Sequence, residues 1–268
     1  MTSLADIQGF LLDLDGTLYL GSKTFPWTAG FLKVLRNQGK RHLFLTNNSS
    51  KSTSDYAKSL VSRGIQAGTA NILSSGWSAI RYLRKETDIR SLFVLGTPSL
   101  ETELREAGFD LDSASPEAVL IGFDLTLTYT KLERAAHLLR AGLPYYATHA
   151  DLVCPSERGP IPDTGSMIAL LEAATGRRPV VLGKPYRPMI EAALERLGTM
   201  AEQTAMVGDR LYTDMKMARD YGLVSILVLS GETTRQDYDN STTQVDFVFE
   251  NVGEIAEKLA DINLDKST

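Results

Sequence analysis

The sequence predicts an α/β protein built on mostly parallel sheets. Three features carry this: short apolar runs bounded by turn residues, helical apolar spacing in the segments between them, and regular alternation of the two. The first strand is the run through Phe10, Leu11 and Leu12, which ends in Asp13-Leu14-Asp15-Gly16-Thr17. A helix over 28–38 follows, with Phe31, Val34 and Leu35 on one face and Gly39 as its stop. His42 to Thr46 reads as the next strand and Asn47 to Thr53 as a polar loop. Ala57, Leu60 and Val61 then mark a helix closed by Gly64. Asn71 to Ser74 and 76–85 repeat the strand–helix step.

Beyond residue 90 a second series begins. Leu92 to Leu95, Ala118 to Ile121 and Tyr145 to Thr148 are strands; 99–107, 130–141 and 165–175 are helices. The middle helix carries a capping box, Thr130-x-x-Glu133, in which each side chain satisfies the other residue's backbone N–H. Its face of Leu132, Ala135, Ala136 and Leu139 is core. The last third returns to the first pattern. Val180 to Leu182, Ala205 to Val207, Val224 to Leu229 and Phe247 to Phe249 are strands. Helices cover 188–197, with Pro188 in the first turn, and a segment ending near Gly222. The polar tail from Asp261 is expected to fray.

A chain of 268 residues can hold one large or two modest domains. With 43% hydrophobic and 23% charged residues it has the composition of a globular protein. A formal net charge of −5 argues against a broad nucleic-acid surface, which needs a basic stripe. Cys154 is the single cysteine, so no internal disulfide can form and a reducing, cytoplasmic setting is expected. The start lacks a signal-peptide pattern, and no apolar run approaches the ~20 residues of a membrane span. Three scattered histidines and one thiol make a zinc site a poor expectation. A carboxylate-rich site suits a hard cation such as Mg²⁺.

The chemistry gathers at strand ends. Asp13 and Asp15 close a buried run, and buried carboxylates are costly unless paired, hydrogen-bonded or bound to a metal. An ordinary Asp/Gly turn is the alternative reading. A calcium loop fits poorly, because its glycine belongs at position six and here stands at position four. Three further runs end in Thr46-Asn47, Gly183-Lys184 and Gly208-Asp209. Singly these are turns, caps or a surface lysine. Together they supply a phosphoryl-transfer set, and open α/β sheets bind ligands at the carboxyl ends of their strands.

On these residues the chain resembles the haloacid dehalogenase superfamily of aspartate-nucleophile phosphatases. Asp13-x-Asp15-Gly16-Thr17, Thr46-Asn47, Lys184-Pro185 and Gly208-Asp209-Arg210-x-x-x-Asp214 match its four motifs in order. Gly122-Phe123-Asp124, Leu127-Thr128-Tyr129 and Thr175-Gly176-Arg177 are similar to landmarks of the α/β cap of the p-nitrophenylphosphatase or NagD-like branch. The resemblance implies a doubly wound, Rossmann-like core over 1–78 and 179–268. A smaller substrate-selecting cap would be inserted at 79–178. It implies that Asp13 attacks phosphorus, that Asp15 is general acid then base, and that Mg²⁺ sits on Asp13, the Asp15 carbonyl and Asp209. Asp214 would hold metal-bound water or orient Lys184. Thr46, Asn47 and Lys184 would grip the phosphate, with Gly16 and Asn48 beside them, aided by a helix starting near Lys51.

The same resemblance makes 149–155 the loop that faces the leaving group, with Asp151, Cys154 and Pro155 as substrate contacts. Two residues depart from the commoner branch pattern: His149 replaces a frequent Asn, and Asp163 stands where Gly is usual. The expected substrate is a small phosphorylated metabolite such as a sugar phosphate, without nucleic acid or membrane. A homodimer through the cap is a further expectation. A phospho-receiver module and a phosphomutase are the alternatives on the same strand-end chemistry.

Overall fold

The computed structural model describes residues 3–156 and 158–265. Its contacts divide the chain into two units, the first drawn from 1–46, 59–72 and 190–268 and the second from 47–58 and 73–189. In chain order the elements are β1 (Gly9–Asp13), a small hairpin of β2 (Tyr19–Leu20) and β3 (Lys23–Thr24), α1 (Thr28–Asn37), β4 (Arg41–Thr46), α2 (Thr53–Ser62) and β5 (Ile72–Ser74). The next series is α3 (Ser75–Glu86), β6 (Leu92–Leu95), α4 (Pro98–Glu106), β7 (Ala118–Ile121), α5 (Tyr129–Arg140) and β8 (Tyr145–Ala147). A short hairpin of β9 (Val153–Cys154) and β10 (Ile161–Pro162), α6 (Thr164–Thr175) and β11 (Val180–Val181) complete it. Last come α7 (Arg187–Leu197), β12 (Thr204–Gly208), α8 (Lys216–Tyr221), β13 (Val224–Val228), α9 (Arg235–Asp239), β14 (Phe247–Phe249) and α10 (Val252–Asp265).

The first unit is organised by a sheet in the order β14-β13-β12-β1-β4-β5. The pairings of β1 with β4 and β12, of β12 with β13 and of β13 with β14 are all parallel. Residues Gly9–Leu12 of β1 and all of β12 and β13 are buried, the pattern of strands covered on both faces. Helix α1 packs its Phe31 edge-on to Phe10, ring centroids 6.3 Å apart. The chain runs outward from β1 through β4, then returns to β12 on the other flank. The order therefore reverses between β1 and β12, where ligand crevices form in such sheets.

The second unit has its own parallel sheet, β11-β8-β7-β6. Alternate residues of its strands feed two cores. Ala118 and Leu120 join Leu83 of α3 and Leu104 of α4 on one side; Val119 and Ile121 join Leu139 of α5 and Leu171 of α6 on the other. Val180–Val181 pairs with Tyr146 and Ala147 here, not with the strands of the last third that it precedes.

Three local expectations need correction. Helix α5 starts two residues earlier than its Thr130 box predicts, because Thr128 is extended and its hydroxyl accepts the Lys131 N–H at 3.3 Å. Helix α2 begins at Thr53 rather than near Lys51. The tail beyond Asp261 is helical to Asp265, since α10 buries Val252, Ile255 and Leu259 at helical spacing.

Candidate active site

In the first unit the strand ends deliver three carboxylates to one place. Asp13 is the first residue of β1 that is not fully buried, and Thr46 lies one position beyond its β4 partner Leu45. After Asp13 the chain turns tightly: the Gly16 N–H donates to the Tyr19 carbonyl at 2.8 Å, and the Asp15 carboxylate accepts the Gly21 N–H at 3.2 Å. Gly16 has φ +88°, a left-handed conformation that strains any side-chain-bearing residue. A Cβ there would also overlap the Asp209 carboxylate. Asp209 directly follows β12 and is 2% exposed, while a π-turn over Leu211–Met215 carries the buried Asp214. Ligand oxygens of Asp13, Asp209 and Asp214 all lie within 4.8 Å of one another.

Nothing in the sequence singles out the loop after β13 as part of this site. The Glu232 N–H donates to Asp209 Oδ2 at 2.6 Å, and the Ser230 hydroxyl donates to the Gly16 carbonyl at 2.7 Å. Gly231 lies so close to Asp209 that a Cβ would collide with its carboxylate. The available signal was a Ser-Gly-Glu turn after a buried strand, the same grammar as the other strand ends. Burial, then the negative charges of Asp13 and Asp214, push the Asp209 carboxyl well above its ordinary range. The Glu232 N–H and Arg210 oppose this. Asp209 Oδ1 is buried without a hydrogen-bond partner.

That orphaned oxygen, among three carboxylates with an all-oxygen donor set, fits a hard divalent cation. A second group, His149, Asp151 and Asp163, has the same compactness but a different chemistry. There the imidazole already meets Asp163 and the Asp151 carboxylate already accepts from Asn47, so it is a closed hydrogen-bond network.

In the second unit Lys184 is 3% exposed, not a surface charge. Its backbone is clasped by the Asn47 amide. Asn47 Oδ1 accepts the Lys184 N–H at 2.8 Å, and Nδ2 donates to the Lys184 carbonyl at 3.0 Å and to the Asp151 carboxylate at 3.1 Å. The Asn47 side chain thereby ties a strand-end loop to Lys184, a link that the sequence does not show. Asn48 Oδ1 caps Ser50, and its Nδ2 approaches the half-buried Cys154 sulfur at 3.8 Å. Pro155 is exposed beside it. The structure thus gathers Asp13, Asp15, Gly16, Thr46, Asp209 and Asp214 at one end of the first unit's sheet. Asn47, Asn48, Asp151, Cys154 and Lys184 lie together in the second. Replacing Asn47 by Leu should release the Lys184 peptide and lower kcat/KM by about 10²-fold, read by steady-state kinetics.

Family comparison agrees with this geometry. A model of the haloacid dehalogenase-like hydrolases matches residues 10–110 and a second, HAD-hydrolase-like, matches 181–255. An acid sugar phosphatase of Staphylococcus haemolyticus is 32% identical, over 93% of this chain and 95% of its own. The chain belongs to the haloacid dehalogenase-like hydrolases. This hydrolase is also 31% identical to the 5'-nucleotidase YutF of Bacillus subtilis, covering 91% of this chain and 96% of that one. The crystal structure of a 4-nitrophenylphosphatase from Thermotoga maritima superposes with a TM-score of 0.92 at 44% identity, covering 95% and 98% of the two chains. The protein is a phosphomonoester hydrolase of the NagD-like branch. Among the described residues no helix is long and apolar enough to cross a membrane.

Proposed function

We propose that the hydrolase is a Mg²⁺-dependent phosphatase that removes phosphate from small sugar phosphates through an aspartyl-phosphate on Asp13. One observation carries the reading: the Asp13 and Asp214 carboxylates close around Asp209, whose buried Oδ1 has no hydrogen-bond partner. Asp13, Asp209 and the Asp15 carbonyl would hold the ion, with Asp214 beside them. The bound ion would supply charge neutralisation between an anionic nucleophile and an anionic phosphate.

An Asp13 oxygen attacks phosphorus as the bond to the leaving oxygen breaks, and Asp15 gives that oxygen its proton. Asp15 then takes a proton from water as the water oxygen attacks the phosphoryl group, which frees Asp13 and releases phosphate. Thr46, the Asn47 backbone N–H and Lys184 would hold the non-bridging oxygens, with Lys184 kept in place by the Asn47 clasp. We take Asp151, Cys154 and Pro155 to meet the leaving group, with Asp151 accepting from its hydroxyls. Sugar phosphates are favoured because relatives at 32% and 34% identity act on sugar phosphates and dihydroxyacetone phosphate. The single cysteine supports a cytoplasmic setting.

A panel of phosphorylated sugars, glycolate, pyridoxal phosphate and nucleotides, assayed for phosphate release with added Mg²⁺, tests the substrate class. The expected result is the highest kcat/KM on a sugar phosphate. A clear preference for nucleotides would replace that reading with one closer to the Bacillus relative.

A further inference from the structure

The two residues at which the loop departs from the branch pattern are each other's partner. His149 Nε2 lies 2.9 Å from Asp163 Oδ1, and the side chains are 0% and 4% exposed. Asp163 Oδ1 also accepts the Thr164 N–H at 2.6 Å and the Thr164 hydroxyl at 3.2 Å. Asp163 Oδ1 is thus placed as an acceptor, and an Nε2–H of the imidazole completes the set of donors around it. Nδ1 lies 3.0 Å from the Thr148 hydroxyl, which lies 2.9 Å from that of Ser49, whose oxygen accepts the Phe123 N–H. A single direction of donation satisfies the whole row: Phe123 to Ser49, Ser49 to Thr148, Thr148 to Nδ1, and Nε2–H to Asp163.

The pair closes a ring around the residue that matters. The Asp163 N–H donates to the Leu152 carbonyl at 3.0 Å, and the Gly165 N–H donates to the Asp151 carbonyl at 2.8 Å. Gly165 sits so tightly on this segment that a Cβ would strike the Ala150 carbonyl. The backbone on both sides of Asp151 is therefore pinned, while its carboxylate accepts from the Asn47 amide. The polar atoms of His149 and Asp163 are engaged with each other and with Thr148 and Thr164, so neither is placed as a substrate contact. The Leu152 and Asp151 carbonyls held by Asp163 and Gly165 connect the pair to Asp151.

We propose that His149 and Asp163 are positioning residues that fix Asp151 and so set which leaving groups the enzyme accepts. This rests on the reading of Asp151 as a contact for leaving-group hydroxyls. A flat p-nitrophenolate offers no hydroxyl to Asp151, whereas a sugar does, so the two substrates separate positioning from chemistry.

The test uses the full-length enzyme with Mg²⁺ and three variants, Asp163→Ala, Asp163→Asn and His149→Phe. The substrates are p-nitrophenyl phosphate and the best natural monoester of the panel. For Asp163→Ala and His149→Phe, KM for the natural monoester should rise about tenfold or more, with kcat on p-nitrophenyl phosphate within about threefold of wild type. Asp163→Asn keeps an acceptor for Nε2–H and should restore a near-wild-type KM. Equal proportional losses on both substrates, no change on either, or Asp163→Asn as damaging as Asp163→Ala would overturn the proposal. Should His149→Phe not fold, the two Asp163 variants carry the comparison; failure of Asp163→Ala as well would assign the pair to folding and overturn the proposal. If the best natural substrate carries no hydroxyl on its leaving group, the reading of Asp151 fails and the inference with it, visible in wild type before any variant is made.

Discussion

Asp13→Asn should lower turnover of p-nitrophenyl phosphate by about 10⁴-fold or more and leave a folded protein. The exchange keeps the shape of the side chain, so β1 and its parallel neighbours lose nothing from their ladders. What disappears is the oxygen proposed as nucleophile, and an amide cannot replace it. Rapid quenching with wild type should trap a phosphoryl group on the peptide bearing Asp13, and the variant should show none. Wild-type rates in the variant would remove the nucleophile from Asp13. A phosphopeptide that outlives a turnover would favour a receiver-like module.

Removing the metal should be nearly as damaging. After dialysis against EDTA, turnover should fall below about 1% of its starting value and return on adding Mg²⁺. Stability reports the same site independently of activity. At a Mg²⁺ concentration 100 times its Kd, the ion adds about 2.7 kcal/mol to the folded state, and Asp209→Asn should abolish most of that gain. At a pH above the raised Asp209 value, the same variant in the metal-free protein should raise Tm, about 2–4 °C for each kcal/mol in a chain of this size, because one of three crowded carboxylates loses its charge. The sign follows from linkage. Asp209 binds its proton more tightly folded than unfolded, so its own contribution to metal-free stability is largest in acid. It falls as pH rises from the ordinary carboxylate range through the raised value. Calorimetry at several pH values, with and without Mg²⁺, checks both statements; a flat pH response in metal-free wild type would contradict them.

The parts of the molecule that could be read from the chain are those written locally. Parallel strands buried on both faces appear as continuous apolar runs, so β1, β6, β7 and β13 are visible, and the residues that end them stand out by contrast. Asp13 and Asp209 were legible for this reason. Long-range partnerships leave no period to read. The hold of Glu232 on Asp209, the grip of Asn47 on Lys184 and the pairing of His149 with Asp163 join residues 14 to 137 positions apart. Departures from a family pattern marked His149 and Asp163 individually, but only coordinates show that they compensate each other. Small slips were chemical ambiguities: with Thr128 and Thr130 both able to cap, only backbone conformation decides which does.

The central placement of β1 has a consequence for how the protein is made. Its flank against β4 can zip up early, but the other flank waits for Thr204–Gly208, nearly two hundred residues later. Throughout most of synthesis on the ribosome, the Gly9–Leu12 edge is therefore an open template for stray pairing. The same delay keeps Asp209 away from Asp13, so a half-made chain carries the proposed nucleophile without the carboxylate that lies beside it in the finished fold. Catalytic competence arrives only when the strand that also seals the edge has been translated.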